Sequence, residues 1–354
     1  MVVAVGLSGG VDSSVAALLL REQGHRVVGV TMKLWAGRYK GGDREACFGA
    51  GEEKSIALAE AFAKDAGIEY RVFDVADEYD RTIISYFRDT YLAGRTPNPC
   101  VRCNALVKFG LLPDLAAKSG LSFDKFATGH YARIVQGASG RLAVARACDK
   151  AKDQSYFLYR LSQEQLARQL FPLGDKLKAD VRALARQCGL RTAERPDSQD
   201  FYSGDVAELI GTPARPGRIV TLGGETVGTH DGFWHYTIGQ RKGLRIGGAG
   251  EPYYVVDLNA CRNEVVVGRA TDAVRTSLEI EDPVFGTLTR GELFAAPAPI
   301  PCAVKVRSAG SPRGPAFIEG FKCTFPEGIQ GIAPGQSAVF YGADGAILLG
   351  GVIK

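Results

Sequence analysis

The chain opens with a short apolar segment that runs directly into a loop rich in glycine and serine. Residues 2–5 are Val-Val-Ala-Val, a run of the length expected for a buried parallel strand. Gly6-Leu7-Ser8-Gly9-Gly10 follows, and residues 15–20 begin an apolar helix. Glycines let backbone N–H groups approach a ligand closely, and Ser13 and Ser14 stand near the helix N-terminus, where N–H groups and the helix dipole favour negative charge. The pattern predicts a strand, an anion-binding loop and a helix.

Two common phosphate-binding loops do not match this stretch. The chain has no Gly-x-x-x-x-Gly-Lys-Ser/Thr and no Gly-x-Gly-x-x-Gly here, which excludes a Walker loop and the dinucleotide fingerprint. Ser-Gly-Gly-Val-Asp-Ser-Ser instead resembles the pyrophosphate-binding loop (PP-loop) of the N-type ATP pyrophosphatases. That resemblance implies that ATP adenylates a carbonyl oxygen of the substrate while pyrophosphate leaves. The alternative is an ordinary turn, which the position between a strand and a helix disfavours.

Length and composition predict a globular protein of two or three domains. The chain has 354 residues, 45% of them hydrophobic, and a net charge of +4 that permits nucleic-acid binding without demanding it. No apolar run reaches the length of a membrane span, and no signal peptide precedes the first strand. We therefore expect a cytoplasmic protein with no membrane contact. Its eight cysteines are then expected to remain thiols or to bind metal rather than to form disulfides.

The first half of the chain alternates strands and helices, and the last part is rich in short strands. Strands are predicted at 26–31, 69–75 and 126–131, and helices at 52–66, 78–92 and 109–118, with a loop over 36–51. Repeated βα units predict an α/β fold with a doubly wound parallel sheet, whose ligands bind at the carboxyl ends of the strands. We predict a catalytic domain over 1–210, a small central domain over 211–275 and a C-terminal β-barrel over 276–354.

A second informative motif is Arg95-Thr96-Pro97-Asn98-Pro99-Cys100-Val101-Arg102-Cys103-Asn104. Two prolines restrict the backbone ahead of a Cys-x-x-Cys pair. Two cysteines at this spacing converge on one small volume, which suits a metal, an iron–sulfur cluster or redox chemistry. Taken alone, the Cys-x-x-Cys pair is a moderate indication of such a site. The alternative is that the spacing arose by chance and that the two cysteines are simply partly buried.

With both motifs, the chain resembles the tRNA-specific 2-thiouridylases of the MnmA type, which thiolate the wobble uridine of certain tRNAs. The likeness extends over nearly the whole chain. The matching blocks are residues 6–13, 32–33, 94–99, 103–104, 108–109, 128–131, 152–158, 197–199, 237–244 and 334–339. This family has a PP-loop catalytic domain, a central domain and a C-terminal barrel, which agrees with the pattern of strands and helices.

The resemblance implies roles for individual residues. The expected ATP-binding residues are Gly6, Leu7, Ser8, Gly9, Gly10, Val11, Asp12, Ser13, Met32 and Gly129. The expected tRNA-binding residues are Asn98, Pro99 and Cys100 at the target base, and Lys152, Asp153, Gln154, Arg307 and Ser308 elsewhere. Cys103 matches the nucleophilic cysteine of the family. Lys152 and Arg307 suit phosphate contacts, although both could equally be solvated surface charges, and His130 could be a core residue.

The chain departs from the family at two positions. The second catalytic cysteine, which receives persulfide sulfur, is expected in the segment after Asp197, and Tyr202 stands in its place. Tyrosine cannot carry a persulfide. The residue after Pro99, usually aspartate in the family, is Cys100. One thiol is therefore missing from its usual place, and another has appeared three residues before Cys103.

Two sulfur chemistries are compatible with this rearrangement. In one, Cys100 and Cys103 act as a dithiol pair, one carrying sulfane sulfur and the other resolving it. In the other, which we favour, they bind a [4Fe–4S] cluster together with Cys47, whose loop follows the second strand. An iron without a protein ligand would then bind hydrosulfide. A structural zinc site is less favoured, because zinc normally takes four protein ligands and no fourth is evident.

The predicted activity is a tRNA-uridine 2-sulfurtransferase that uses ATP and Mg²⁺ and receives sulfur from a donor protein or from sulfide. The base must leave its stack to enter such a pocket, and a basic face would hold the anticodon stem-loop. Two alternatives belong to other classes: a PP-loop adenylating ligase acting on a small molecule, and a tRNA-binding homologue that became inactive with Tyr202. The Cys-x-x-Cys pair and the barrel disfavour the first, and the intact ATP loop disfavours the second.

Overall fold

The computed structural model describes residues 1–42, 46–197, 200–247 and 250–354. Over these residues the chain forms a parallel sheet flanked by helices, a small four-stranded sheet and a closed barrel. The predicted fold class is therefore confirmed. None of the helices in this part of the chain is long and apolar enough to cross a membrane.

The parallel sheet has the strand order β4-β2-β1-β5-β8. Its strands are β1 Val2–Gly6, β2 Arg26–Lys33, β4 Glu69–Asp74, β5 Lys125–Thr128 and β8 Gln169–Leu170. The order reverses at β1, because β2 lies on one side of it and β5 on the other. In open α/β sheets such a reversal opens a crevice at the carboxyl ends of the strands, and the loop after β1 lies at this edge.

The helices of this domain lie on both faces of the sheet. They are α1 Val11–Glu22, α2 Glu52–Asp65, α3 Ala76–Tyr79, α4 Ser85–Leu92, α5 Pro99–Cys103, α6 Leu112–Lys118, α7 Gln163–Arg168, α8 Lys178–Gln187 and α9 Val206–Ile210. Alternate residues of β1 explain the two layers: Val3 and Val5 pack with α1 and α2, whereas Ala4 packs with α6. Burial on both faces is why the strand reads as a continuous apolar run.

Two predicted elements differ from the structure. The segment 36–51, predicted as a loop, contains β3 Ala46–Phe48, which pairs in parallel with β9 Asp200–Tyr202. The helix predicted at 109–118 begins ten residues earlier, at Pro99, and runs through the π-helical segment Asn104–Leu111 into α6. Pro113 fits in the first turn of α6, directly after the π-helical segment, where the irregular hydrogen bonding accommodates a residue without an N–H. A similar π-helical segment, Asp80–Ile84, joins α3 to α4.

Two further units complete the fold. A hairpin of β6 Ala132–Gln136 and β7 Leu142–Arg146 extends from the catalytic domain towards the barrel. The central sheet has the order β11-β10-β13-β12. Its strands are β10 Gly217–Thr221, β11 Thr226–His230, β12 Tyr254–Asn259 and β13 Glu264–Gly268.

The C-terminal barrel closes in the order β14-β17-β16-β15-β18-β19. Its strands are β14 Val274–Phe285, β15 Ile300–Lys305, β16 Arg313–Glu319, β17 Lys322–Gln330, β18 Ser337–Tyr341 and β19 Ile347–Ile353, with the helix α10 Arg290–Ala295. Residues such as Phe340 and Leu349 fill its interior, while Val339 and Tyr341 on the other face of β18 pack with the catalytic domain. The barrel is therefore joined to the catalytic domain by apolar side chains from the same strand that builds its core.

Replacing Phe340 with alanine should destabilise the barrel. Phe340 is 1% exposed, so its truncation leaves a cavity and should lower the free energy of unfolding by about 3–5 kcal/mol. Phe294→Ala is the matched control, because that ring is 56% exposed and should cost much less. Chemical denaturation followed by fluorescence measures both. Equal losses for the two variants would contradict the packing described for β18.

Candidate active site

The glycine-serine loop forms a cradle of backbone groups at the N-terminus of α1. Gly10 is the N-cap and supplies no side-chain acceptor to the first turn. The hydroxyl of Ser13 accepts a hydrogen bond from the Ser8 N–H at 3.1 Å, and Ser13 and Ser14 both donate to the Gly10 carbonyl, at 3.2 and 3.1 Å. These bonds fix the loop so that the first N–H groups of α1 are presented at the edge of the sheet. Such an arrangement binds anions.

Glycine is required at Gly9, where the loop passes against the start of α2. Its φ is +70°, and a Cβ atom there would lie 2.1 Å from the Ser55 carbonyl oxygen. The guanidinium of Arg195 donates to the Gly9 carbonyl and to the Ser55 hydroxyl, both at 2.9 Å. The left-handed backbone and the close approach therefore explain this glycine physically.

The other residues expected at ATP lie at the same edge of the sheet. Gly129 follows β5 and packs so closely on the loop that a Cβ atom would lie 2.6 Å from the backbone of Asp12 and Ser13. Met32 lies near the carboxyl end of β2, the strand adjacent to β1. The structure thus brings together the predicted residues of the loop, Met32 and Gly129.

A charged cluster adjoins the cradle and was not predicted from the sequence. The ammonium group of Lys178 lies 2.7 Å from both carboxylate oxygens of Asp12 and 2.7 Å from the carboxylate of Asp197. The Tyr131 hydroxyl also donates to Asp12, at 2.9 Å. Burial and the charge of Asp12 raise the pKa of Tyr131, so this phenol stays protonated. Partial burial opposes ionisation of Asp197, but hydrogen bonds from Lys152 and Lys178 outweigh it and lower the pKa of that carboxyl.

Lys178 carries little sequence signal, because none of the motifs recognised in the sequence includes it. It starts α8, far along the chain from Asp12, and α8 packs against α1. Only this packing brings it to the cradle.

The three cysteines expected at the sulfur site all lie near the buried Tyr79. Cys100 and Cys103 lie on α5, and Cys47 lies on β3. Each of the three lies within electrostatic range of the Tyr79 hydroxyl, and Tyr79 is hydrogen-bonded to Cys103. Cys47 is exposed, whereas the other two are half-buried by surface area and closely surrounded by protein atoms.

Burial controls the ionisation of the two cysteines of α5. It raises the pKa of Cys100 to about 12 and that of Cys103 to about 11, while the nearby ammonium of Lys108 opposes both shifts. Without a metal or another cation the two sulfurs are therefore protonated thiols near neutral pH. Among the described residues, no group of three or more histidine, cysteine or acidic side chains is placed to hold a single metal ion.

Tyr202, at the position of the missing cysteine, belongs to an aromatic cluster. It is 4% exposed and packs against Trp35 and Phe48 at ring-centroid distances of 6.4 and 5.8 Å. Its hydroxyl accepts a hydrogen bond from the Gly41 N–H at 3.1 Å and donates one to Glu208. Tyr202 therefore holds the 36–42 segment and β3, which carries Cys47, against the helical domain.

The segment 95–98, which leads into α5, is clamped by the barrel. The Thr96 N–H donates to the Pro334 carbonyl at 2.7 Å, and the Gln336 amide donates to the Pro97 carbonyl, also at 2.7 Å. Asn98 accepts a hydrogen bond from the Val101 N–H as the N-cap of α5, and its amide group donates to Tyr156 and Ser337 at 3.2 and 3.3 Å. Asn98 was expected at the target base, but its buried side chain is engaged inside the protein.

The expected tRNA-binding residues fall into exposed and internal groups. Lys152 and Ser308 are exposed, and Lys152 forms an ion pair with Asp197 at 2.8 Å. By contrast, the Asp153 carboxylate is 2% exposed and binds Arg146, while the side-chain amide oxygen of Gln154 accepts a hydrogen bond from the Tyr131 N–H at 2.9 Å. Asp153 and Gln154 therefore hold their own loop in place through hydrogen bonds inside the protein.

Arg307 and His130, the two candidates still to be placed, also differ in exposure. Arg307 is exposed at the seam between barrel and central domain, where its guanidinium donates to the Gly331 carbonyl at 3.2 Å. It lines a cavity of ≈ 380 Å³ together with the exposed Arg313, so two guanidinium groups border this cavity. His130 is enclosed between Phe109 and Phe171 and bonded to Thr128 at 2.7 Å, and burial lowers its pKa. It is a neutral core residue.

Comparison with known proteins covers the chain from end to end. Residues 1–202 match the tRNA methyl transferase HUP domain model, residues 208–269 the tRNA methyl transferase PRC-barrel domain and residues 291–353 the aminomethyltransferase beta-barrel domain. The chain is 42% identical to the tRNA-specific 2-thiouridylase MnmA of Endomicrobium trichonymphae, over 100% of this chain and 99% of that protein. It is 43% identical to the protein of the same name from Methylobacterium radiotolerans, over 99% and 93% of the two chains.

Gln336→Ala should loosen the segment that positions α5. The change removes a hydrogen bond to a buried carbonyl, at a cost of about 1–3 kcal/mol, so backbone amides in 95–104 should exchange faster with deuterium. Gln330→Ala is the matched control, because that barrel glutamine also donates to a carbonyl outside the barrel, Ala270, but far from α5. Mass spectrometry of peptides covering 95–104 gives the readout. Unchanged exchange in Gln336→Ala would contradict the clamp.

In the metal-free protein, Cys100 and Cys103 should react slowly with iodoacetamide. The thiolate is the reactive form, and burial keeps both thiols protonated at about pH 8. Labelling should rise as the pH approaches their pKa values, about 12 and 11. Cys148 and Cys188, which are exposed, serve as internal controls. Peptide mapping after timed labelling would refute the assignment if Cys100 were modified as fast as Cys148.

Proposed function

The chain belongs to the tRNA-specific 2-thiouridylase family, and we propose that it transfers sulfur to the 2-position of the wobble uridine in tRNA in an ATP-dependent reaction. The observation that carries the proposal is the phosphate cradle at the N-terminus of α1, in a chain that is similar to 2-thiouridylases from end to end. Lys108 lies within electrostatic range of Cys100 and Cys103, and also of His130, which follows Gly129 at the cradle.

The first half-reaction is adenylation of the base. The uridine O2 attacks the α-phosphorus of ATP, the bond to the bridging oxygen breaks, and pyrophosphate leaves with that electron pair. The N–H groups at the start of α1 are placed to stabilise negative charge on the phosphates, and their rigid hydrogen bonding means that little reorganisation is needed. Full-length identity to thiouridylases favours this substrate over a small molecule and favours an active enzyme over an inactive homologue.

Asp12 and Asp197 are the residues that would hold Mg²⁺. Mg²⁺ bound with a nucleotide needs only one or two protein carboxylates, because phosphates and water supply its other ligands. The two carboxylates share one ammonium group, that of Lys178, so they converge on one cationic position. A bound Mg²⁺ would neutralise phosphate charge there.

The second half-reaction is sulfur transfer from the pocket of Cys47, Cys100 and Cys103. Sulfur attacks C2 of the adenylated base, and AMP leaves with the former O2. We propose that the three cysteines hold a [4Fe–4S] cluster. In support, the thiol of Cys47 lies within electrostatic range of Cys100 and Cys103. The cysteine ligands of a cluster bind separate irons, so they stand further apart than the ligands of a single metal ion. Such a cluster would leave one iron to carry the transferred sulfur, which a donor protein or sulfide supplies.

The partner is tRNA, held by exposed basic residues. Lys152 and Arg307 are exposed on the catalytic domain and on the barrel, and the exposed Arg313 lines the cavity beside Arg307. Lysine and arginine in this arrangement suit contacts to the phosphates of an anticodon stem-loop, with salt-dependent affinity. Ser308, next to Arg307, is exposed at the same surface.

Anaerobic reconstitution with iron and sulfide should give a protein that binds iron and thiolates tRNA with ATP and sulfide. Cys47→Ala, Cys100→Ala and Cys103→Ala should each lose bound iron and activity, because a three-ligand cluster tolerates no missing thiolate. Cys148→Ala is the control, since that thiol is exposed and bonded to Asp175 at 3.5 Å. Absorption spectra, iron content and thiolated uridine are measured for each. Activity without iron that needs Cys100 and Cys103 but not Cys47 would replace the cluster with the dithiol route.

A further inference from the structure

Lys178 is a buried cation at the edge of the phosphate cradle. It is 8% exposed, and its three ammonium protons are shared among the two Asp12 oxygens and one Asp197 oxygen, all at 2.7 Å. Asp12 lies in the first turn of α1, two residues after Gly10. The ammonium group is thus held beside the N–H groups that would meet the phosphates.

Stability alone is a weak explanation for this arrangement. Moving an ammonium group and its partners out of water costs free energy that the ion pair often fails to recover. The first turn of α1 already favours the charge of Asp12 through the helix dipole. A buried lysine whose ion pairs contribute little net stability, yet which adjoins an anion site, suggests a role in binding.

Lys178 can leave the cluster without stranding either carboxylate. Asp197 also receives Lys152 at 2.8 Å and Arg182 at 3.2 Å, and Asp12 keeps its hydrogen bond from the Tyr131 hydroxyl at 2.9 Å. Three cations therefore contact two carboxylates. This surplus of positive charge favours the arrival of an anion.

The backbone of Lys178 is anchored while its side chain is long and flexible. Its N–H donates to the Asp149 carboxylate at 2.9 Å, which fixes the first residue of α8. The four-carbon stem ends in a compact charge that can rotate between neighbouring anions. A change of rotamer is enough to move the ammonium group from the carboxylates towards the cradle.

We propose that Lys178 binds the departing phosphates of ATP. Held by Asp12 and Asp197 in the nucleotide-free protein, its ammonium group turns to the β- and γ-phosphates when ATP binds, and the two carboxylates become available to the accompanying divalent cation. As the bond from the α-phosphorus to the bridging oxygen breaks, the ammonium group of Lys178 stabilises the charge that pyrophosphate gains. The inference rests on the proposed adenylation chemistry and adds to it the residue that receives the leaving group.

Calorimetric titration of the full chain with ATP, inorganic pyrophosphate and AMP, each with magnesium, tests the proposal. Lys178→Met should weaken binding of pyrophosphate and ATP by at least about tenfold, the loss expected for one charge-assisted hydrogen bond, and leave AMP affinity unchanged. Lys176→Met is the matched control, because that lysine is exposed two residues away. Lys178→Gln, whose uncharged amide can still donate to Asp12 and Asp197, decides the matter if the methionine variant misfolds.

The outcomes separate this inference from the proposed function. Pyrophosphate affinity that is unchanged in the Lys178 variants, or AMP affinity that falls as much as pyrophosphate affinity, overturns the inference, because a purely structural lysine affects all three ligands alike. If the wild type binds ATP and the Lys178 variants give either of those results, only the inference about Lys178 fails and the proposed adenylation stands. A wild-type protein that binds no ATP contradicts the proposed function itself.

Discussion

The position of the sulfur site depends on one buried amide side chain, that of Asn98. It caps α5 by accepting the Val101 N–H at 3.4 Å, and its amide protons reach Tyr156 in the catalytic domain and Ser337 in the barrel. Cys100 and Cys103 lie on the single helical turn that this cap begins. The helix is therefore held at its start by two domains together. Because the Thr96 N–H and the Pro97 carbonyl also bond to the barrel, the barrel fixes the segment that leads into the helix of Cys100 and Cys103.

The charges around the cysteines differ from those around the phosphate cradle. The surroundings of Cys100 and Cys103 include the thiol of Cys47 and the phenol of Tyr79, and Lys108 is a cation that acts on both cysteines. The cradle, by contrast, has carboxylates and lysines already paired with one another. Adenylation produces anionic leaving groups and needs mobile positive charge, whereas sulfur chemistry needs exclusion of water. The fold keeps these two environments apart but adjacent.

The replacement of a catalytic cysteine by Tyr202 fits the aromatic cluster around it. A thiol at that position would leave the Gly41 N–H and the Glu208 carboxylate without the hydroxyl that joins them. The tyrosine also fills the space between Trp35 and Phe48, and Phe48 in turn contacts Tyr79 above the cysteines. The chain has thus exchanged a reactive group for a packing residue at one end of the pocket. Cys100 adds a thiol at the other end.

The sequence by itself determined the α/β class, the anion loop after β1, the Cys-x-x-Cys pair and the barrel, because each is written in a contiguous run of residues with a characteristic spacing. Gly9 and Gly129 could be assigned to the loop by motif, although only the structure shows the close backbone contacts that require them. Tertiary structure alone decided that Lys178 meets Asp12 and that Asn98 is engaged by the barrel. These partners are brought together by helix and domain packing across long stretches of chain, and local patterns hold no record of such contacts.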